Sequence, residues 1–285
     1  MNSPPGARTS RKLKNILLIS LCSVISVVDL LADNAQPVLR VAADPNNLPF
    51  SNERGEGFEN KIAELIAHDL GAKLEYYWQA QRRGFFRQTL KEGRADLVIG
   101  VPAHFEMAAT TQPYYRSTYV FVSRRDRDLH VSSFDDPKLR KLKIGVQIVG
   151  ADEMNTPPAH ALAARGIINN VRGYTLYGDY TKPNPPARII DAIKADEIDV
   201  AVVWGPLAGY FGKNSDVALA ITPVQPQTDG ALRFAFDISA GVSKRNAELK
   251  TKVDQIIGAH RDEIARILDS YGVPRVDRGE KVAKQ

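Results

Sequence analysis

Cysteine is all but missing from this 285-residue chain: Cys22 is the only one. It falls inside an N-terminal stretch with the marks of a targeting segment. The exported remainder therefore has no disulfide framework, thiolate nucleophile or cysteine metal site, and folds on core packing alone. Long apolar runs are scarce too. The one candidate, Ile16 to Leu31, is about 16 residues long against the roughly 20 of a spanning helix, and Asp29 interrupts it. It follows Arg8, Arg11, Lys12 and Lys14, which makes it a secretory signal peptide with cleavage expected after Ala32 or Ala35. Leu21 stands where a lipidated Cys22 would want a small residue, which disfavours a lipid anchor.

Catalytic spacing is also lacking. There is no Gly-x-Ser-x-Gly elbow, no phosphate loop and no His-Glu-x-x-His, and Gly55-x-Gly57 alone is too weak for a dinucleotide site. The histidines (His68, His104, His130, His160 and His260) are far apart, so no metal site and no resident cofactor are expected. The Asp135-Asp136 and Asp152-Glu153 pairs fall short of the six or more oxygens of a calcium-type loop and read as surface charge.

One-sided charge is missing as well. The whole chain carries +5; losing four basic and two acidic residues with residues 1–35 leaves the mature chain near +3. With no basic cluster denser than Lys138 to Lys143, this is a solubility pattern, and neither nucleic acid nor, after signal cleavage, a membrane is an expected partner.

What remains is some 250 residues of alternating pattern, enough for one large domain or two lobes. Val38 to Ala42 reads as a strand, and the Asp44-Pro45-Asn46-Asn47-Leu48-Pro49 segment as a loop that stops strand and helix alike. Phe58, Ile62, Leu65, Ile66 and Leu70 follow at helical spacing, capped by Gly71. Strand Lys73 to Trp78, helix Phe85 to Lys91 and strand Asp96 to Gly100 continue an α/β lobe whose strand ends line a crevice. Ser117 to Ser123 is a first crossover strand. A second α/β series runs through Leu142 to Gln147, Ala159 to Arg165, Asn170 to Tyr174, Ala187 to Lys194, Asp199 to Trp204 and Pro206 to Phe211. After a strand at Ala218 to Thr222, Phe234 to Val242 returns the chain to the first lobe. Asn246 to Tyr271 then closes it as one helix with Leu249, Val253, Ile256, Ile257, Ile264 and Leu268 as its core stripe. The expected division is signal peptide 1–35, first part of lobe one 36–122, lobe two 123–234, and the lobe-one return with the C-terminal helix 235–285. A single doubly wound sheet without a hinge is the rival architecture.

Three segments carry a specific likeness: the decapeptide Ala43 to Asn52, the helix start Gly57-Phe58-Glu59-Asn60-Lys61-Ile62-Ala63, and Arg94-Ala95-Asp96-Leu97-Val98-Ile99-Gly100. In these the chain resembles the quinoprotein-dehydrogenase-associated periplasmic proteins, the J components of methanol dehydrogenase operons of the calcium (Mxa) and lanthanide (Xox) types, over roughly Val38 to Tyr271. The resemblance implies an α/β type II periplasmic-binding fold, two lobes joined by two crossover strands around a cleft. It also implies export and a link to a pyrroloquinoline-quinone (PQQ) methanol dehydrogenase, the quinone and its metal belonging to that partner.

Amino-acid-binding relatives of this fold hold the ligand carboxylate with an arginine and its ammonium with an aspartate. Here His104 falls near the arginine's place and Trp204 takes the acid's. Burying either end of a zwitterion unpaired costs several kcal/mol, so an amino-acid importer subunit is disfavoured unless Arg82, Arg83 or Arg116 substitutes. Asp44, Asn46, Asn47 and Phe50 are candidates for the cleft rim, against the alternative that the Asn and Asp side chains merely hold a turn; Tyr114 is placed with them. Trp78 and Trp204, ending strands in different lobes, are expected to face each other across the cleft unless they are core. Arg82 begins Arg82-Arg83-Gly84-Phe85-Phe86, either an anion or partner contact or a solvated helix start. The long connection Tyr174 to Pro186 offers Tyr174, Tyr177 and Tyr180 as partner contacts, or else packs over lobe two. The cleft is expected to take a small ligand or a peptide of the partner. Glu53, Glu56 and Glu59 evoke the acids of cleft lyases, but a glycine-bearing loop and an early helical turn make them a solvated face.

Overall fold

The computed structural model describes Met1 and residues 36–149, 155–178 and 180–277; the expected signal peptide and the Asp152-Glu153 pair lie outside the described residues. Among the described residues no helix is long and apolar enough to cross a membrane.

The first group of elements comprises β1 (Val38–Ala43), α1 (Phe58–Asp69), β2 (Lys73–Trp78), a helical turn at Arg87–Lys91, and β3 (Leu97–Pro102). β1 lies between β2 and β3, parallel to both. Helix α1 buries Phe58, Ile62, Ala63 and Ile66 at i, i+4, i+5 and i+8, one apolar stripe against the sheet. Its neighbour Gly71 takes φ +60, the left-handed turn that ends the helix. The Arg87–Lys91 turn is wider than an α-helix: the Arg94 amide reaches the Thr89 carbonyl at 3.0 Å, five residues back.

The second group comprises β4 (Tyr115–Arg124), β5 (Ile144–Gln147), α2 (Pro157–Ala164), β6 (Val171–Tyr174), α3 (Arg188–Lys194), β7 (Val200–Trp204), α4 (Gly205–Lys213) and β8 (Leu219–Pro223). β5 is parallel to β6 and β7, while β7 and β8 run antiparallel to β4. The chain then returns through β9 (Ala235–Val242) to α5 (Ala247–Ala259) and α6 (Arg261–Ser270).

Two strands bind these groups together, and each changes partner along its length. β4 pairs β9 over Tyr115 to Thr118 and β7 over Tyr119 to Ser123; β9 pairs β4 over Ala235 to Ile238 and β3 from Ile238 to Val242. At the change-over, the Phe234 carbonyl accepts from both the Tyr119 amide (2.7 Å) and the Thr118 hydroxyl (2.9 Å). A single doubly wound sheet would not show this exchange. Separate hydrophobic cores fill the two sides, one around Phe58, Ile62 and Leu97 and others around Ile189, Ala201 and Val203 and around Phe121, Ile144 and Leu162.

Two expectations need correction. The Asp44 to Pro49 segment is not purely loop: Asn46–Asn47 pairs antiparallel with Ser51–Asn52, because a turn of four residues lets the ends meet. The C-terminal stripe is two helices, not one. The chain bends at His260, whose ring bonds Glu263 at 3.0 Å on its own chain segment and Asp69 of α1 at 2.6 Å. Val253 and Ile257 of α5, and Ile264 and Leu268 of α6, still reach the same core.

The bridges from Asp69 and Glu263 raise the His260 pKa above its usual 6.5, and His260 and His68 hold Asp69 below 3.8. The histidine's contribution to stability is thus complete below pH 6.5 and lost as pH rises through its raised folded value; the aspartate's fades only below 3.8. His260→Gln is expected to lower the melting temperature most near pH 5–6 and least at alkaline pH, measured by thermal unfolding across that range.

Candidate functional site

A cavity of about 290 Å³ lies where the strand exchange occurs. β4 and β9 supply Tyr115, Tyr119, Phe236 and Ile238, and the end of β7 supplies Trp204. Tyr115 and Tyr119 are four residues apart on one strand, Phe236 and Ile238 two apart on the other, so each pair shares a strand face. Trp204 packs edge-on to Tyr119 (5.3 Å between ring centres) and to Phe236 (5.9 Å). Phe50 and Tyr177 complete the aromatic lining; Asn47, Gln81, Gln147 and Thr156 add amides and a hydroxyl. Among the described residues no arginine, lysine or histidine lines the cavity.

Among the described residues the one carboxyl in the wall is Glu59, in the first turn of α1. Its position is fixed by its neighbour: Phe58 is fully buried, with Phe50 at 5.4 Å and Tyr271 at 5.9 Å, and one step along the helix turns the next side chain toward the cavity. The carboxyl lies flat against β3 at Gly100, where a Cβ would stand 2.0 Å from Glu59 Oε1; any side chain there would occupy the carboxyl's place. With neither a cation nor a strong donor beside it, desolvation pushes the Glu59 pKa up to about 8. This corrects the expected solvated face. Glu56 does stay in the polar loop, accepting from Asn52 and Arg54.

Asn47 and Phe50 line the cavity, as does Trp204. Asn47 is 1% exposed and donates Nδ2 to Gln81 Oε1 at 3.1 Å, which leaves its Oδ1 buried with no hydrogen-bond donor. Asp44 sits beneath the rim as a turn-holder: its carboxylate accepts from the amides of Asn46 (2.9 Å) and Gln81 (2.7 Å), while burial raises its pKa against those bonds. Asn46 faces a different hollow, of about 640 Å³, and donates to the Lys182 carbonyl at 2.7 Å. Trp78 lines that second hollow and stacks on Tyr76 at 4.4 Å, so the two tryptophans do not face each other.

His104 is exposed, with φ 63, in the turn after β3, and lines neither hollow; the left-handed backbone carries its side chain away. Tyr114 turns its hydroxyl to the Ile99 carbonyl (2.9 Å), and the adjacent Tyr115 faces the cavity instead. Arg82 bonds the Gly178 carbonyl, fastening the connection after β6 to the first group of elements. Arg116 pairs with Asp237 (3.3 Å) and Gln227 (3.2 Å) rather than entering the cavity.

Of the tyrosines expected on a recognition surface, Tyr174 is 5% exposed in the core with Leu176 and Ile189, its place set by strand alternation. Tyr177 bonds Gln147 and lines the cavity. Tyr180 alone is exposed, at 49%, on the rim of the second hollow. The sequence reading set Glu59 aside on a solvated face and missed Gln81, Gly100, Tyr115, Tyr119, Gln147, Thr156 and Phe236. Gly100 was the one available signal, since a glycine in a buried strand marks close approach by another group. Among the described residues no three His, Cys, Asp or Glu side chains gather as a metal site.

Two α/β groups joined by an exchanged pair of strands around such a cavity define a two-lobed binding fold, the type II periplasmic-binding fold. The chain belongs to the bacterial extracellular solute-binding proteins, family 3, matched over residues 39–274. It is 31% identical over 260 residues to Protein MoxJ of Methylorubrum extorquens (strain ATCC 14718 / DSM 1338 / JCM 2805 / NCIMB 9133 / AM1), covering 85% of this chain and 84% of that one. Among solved structures it is similar to the periplasmic binding protein XoxJ from Methylobacterium extorquens AM1, with 34% identity, a TM-score of 0.69, and 85% of this chain and 100% of that one covered. It also shares the fold of MxaJ from Methlophaga aminisulfidivorans MPT, with 23% identity, a TM-score of 0.69, and 84% and 100% covered.

The Glu59 shift has a direct consequence for stability. Between pH 4.5 and about 8 the unfolded chain gives up this proton while the folded chain keeps it, so stability falls as pH rises across that window, by a total on the order of 4 kcal/mol. Glu59→Gln is expected to remove that slope and to raise the denaturation midpoint at pH 8, read from urea unfolding at pH 5 and pH 8.

Proposed function

We propose that this chain is an exported, non-catalytic periplasmic protein that serves a PQQ-dependent methanol dehydrogenase through protein contact, assisting its maturation or activation. The likeness to MoxJ and XoxJ over most of the chain supports the association, as do the opening decapeptide and helix start described above. The observation that carries the reading against an amino-acid importer subunit is the cavity wall: among the described residues it offers no cation for a ligand carboxylate. Among the described residues the wall holds one carboxyl and no second carboxyl, lysine or histidine beside it, which favours binding over catalysis.

With Tyr174 in the core and Tyr177 turned into the cavity, Tyr180 is the contact residue of the three. The mature protein mixed with its cognate methanol dehydrogenase is expected to co-elute on size exclusion, Tyr180→Ala to weaken that association by about tenfold, on the scale of an interface aromatic, and deletion of the gene to lower dehydrogenase activity in extracts. Separate elution together with unchanged activity after deletion would contradict the reading.

A further inference from the structure

We infer that the cleft binds a small organic monocation, an alkyl- or arylalkylammonium ion without a carboxylate, held by the Glu59 carboxylate among aromatic side chains. This goes beyond the dehydrogenase association and does not depend on it.

Glu59 lines the cavity, and its part-buried carboxyl has neither an ion-pair partner nor a hydrogen-bond partner among the described residues. Once ionised it is an acceptor, and an acceptor left unpaired away from water costs about 1–3 kcal/mol, more when charged, so the ligand that fits the carboxylate brings donors. An ammonium group brings up to three donors and the countercharge at once. The rest of the wall agrees. Trp204, Phe236, Phe50 and Tyr115 line the cavity, and aromatic rings attract a cation through their faces, an attraction that strengthens as water is excluded. Anions and zwitterions find no wall cation among the described residues. A neutral ligand brings no charge to draw the proton from Glu59. The volume, about 290 Å³, suits a small molecule.

The same geometry predicts proton release. Empty, Glu59 holds its proton up to about pH 8; a bound ammonium favours the carboxylate and drives the proton out. The ionisable groups around it are Tyr76 on β2, Tyr114 just before β4, Tyr115 on β4 and Tyr177 on the connection after β6. Burial raises all of them above their usual 10, so none titrates in competition below pH 8.

Isothermal titration of the mature protein with methylammonium, butylammonium and benzylammonium tests this between pH 6 and 8. Benzyl alcohol serves as the neutral comparator, benzoate as the anion and phenylalanine as the zwitterion. At least one amine is expected to bind, with affinity rising about tenfold per pH unit, while the comparators bind at least tenfold more weakly. Titration at pH 7 in phosphate and in Tris should show close to one proton released per ligand. Glu59→Gln is expected to lose most amine affinity and the proton release while unfolding cooperatively at pH 8. The wild-type proton count tests the proposal whether or not that variant folds. Failure of all the amines, equal binding of benzyl alcohol, or binding with no proton released would overturn it. None of these results bears on co-elution with the dehydrogenase, so the two readings fail separately.

Discussion

The ladder between β4 and β9 is the constraint from which the cleft follows. Antiparallel pairing over Tyr115 to Thr118 and Ala235 to Ile238 is brief, and beyond it each strand joins a different group of neighbours. Strand alternation then fixes which side chains face the gap: Tyr115 and Tyr119 from one strand, Phe236 and Ile238 from the other. The exchange is secured where Phe234 accepts two hydrogen bonds. Further ties reach across from the second group, as when Lys213 of α4 donates to the Ser270 carbonyl at 2.9 Å and Arg82 bonds Gly178. An aromatic wall at this point is therefore a property of the backbone, filled in by sequence.

Onto that wall α1 places one acid. Phe58 drives into the core, Glu59 turns outward by one helical step, and Gly100 leaves the space its carboxyl occupies. The electrostatic result, among the described residues, is a wall with one carboxyl and no cation beside it. Such a site offers a carboxylate no countercharge, whereas a cation is stabilised by the ionised acid and the rings together. A protein with this cleft and a likeness to MoxJ and XoxJ has kept a binding fold while its wall lacks the paired charges that grip an amino acid.

Much of the framework was legible because periodicity reports burial. The stripe Phe58, Ile62, Ile66 and the β-branched run of β4 need only spacing to be read, and both strands of the exchange were visible as long extended segments. The bend at His260 was not, since Val253, Ile257, Ile264 and Leu268 keep a helical spacing across it and the cause lies in a contact with Asp69, distant in sequence. The site was less legible than the framework. Asn47, Phe50 and Trp204 stood out at strand ends, yet Trp78 turned to another hollow, His104 swung away on a left-handed backbone, and Tyr174 became core. Glu59 was set aside as solvated for a physical reason. Its local sequence is polar and glycine-bearing, and only the fold brings β3 and β4 against it, leaving the side chain part-buried.

The protonation of Glu59 in the unliganded protein is the most direct measure of the account. Carbon-13 NMR of the glutamate side-chain carboxyl carbons, with Glu59→Gln to assign the signal, follows that group alone through a pH titration. A midpoint near 8 is what an uncompensated carboxyl in a desolvated cleft requires. A midpoint near the ordinary 4.5 would mean that water or an unseen countercharge reaches the acid, and would contradict it.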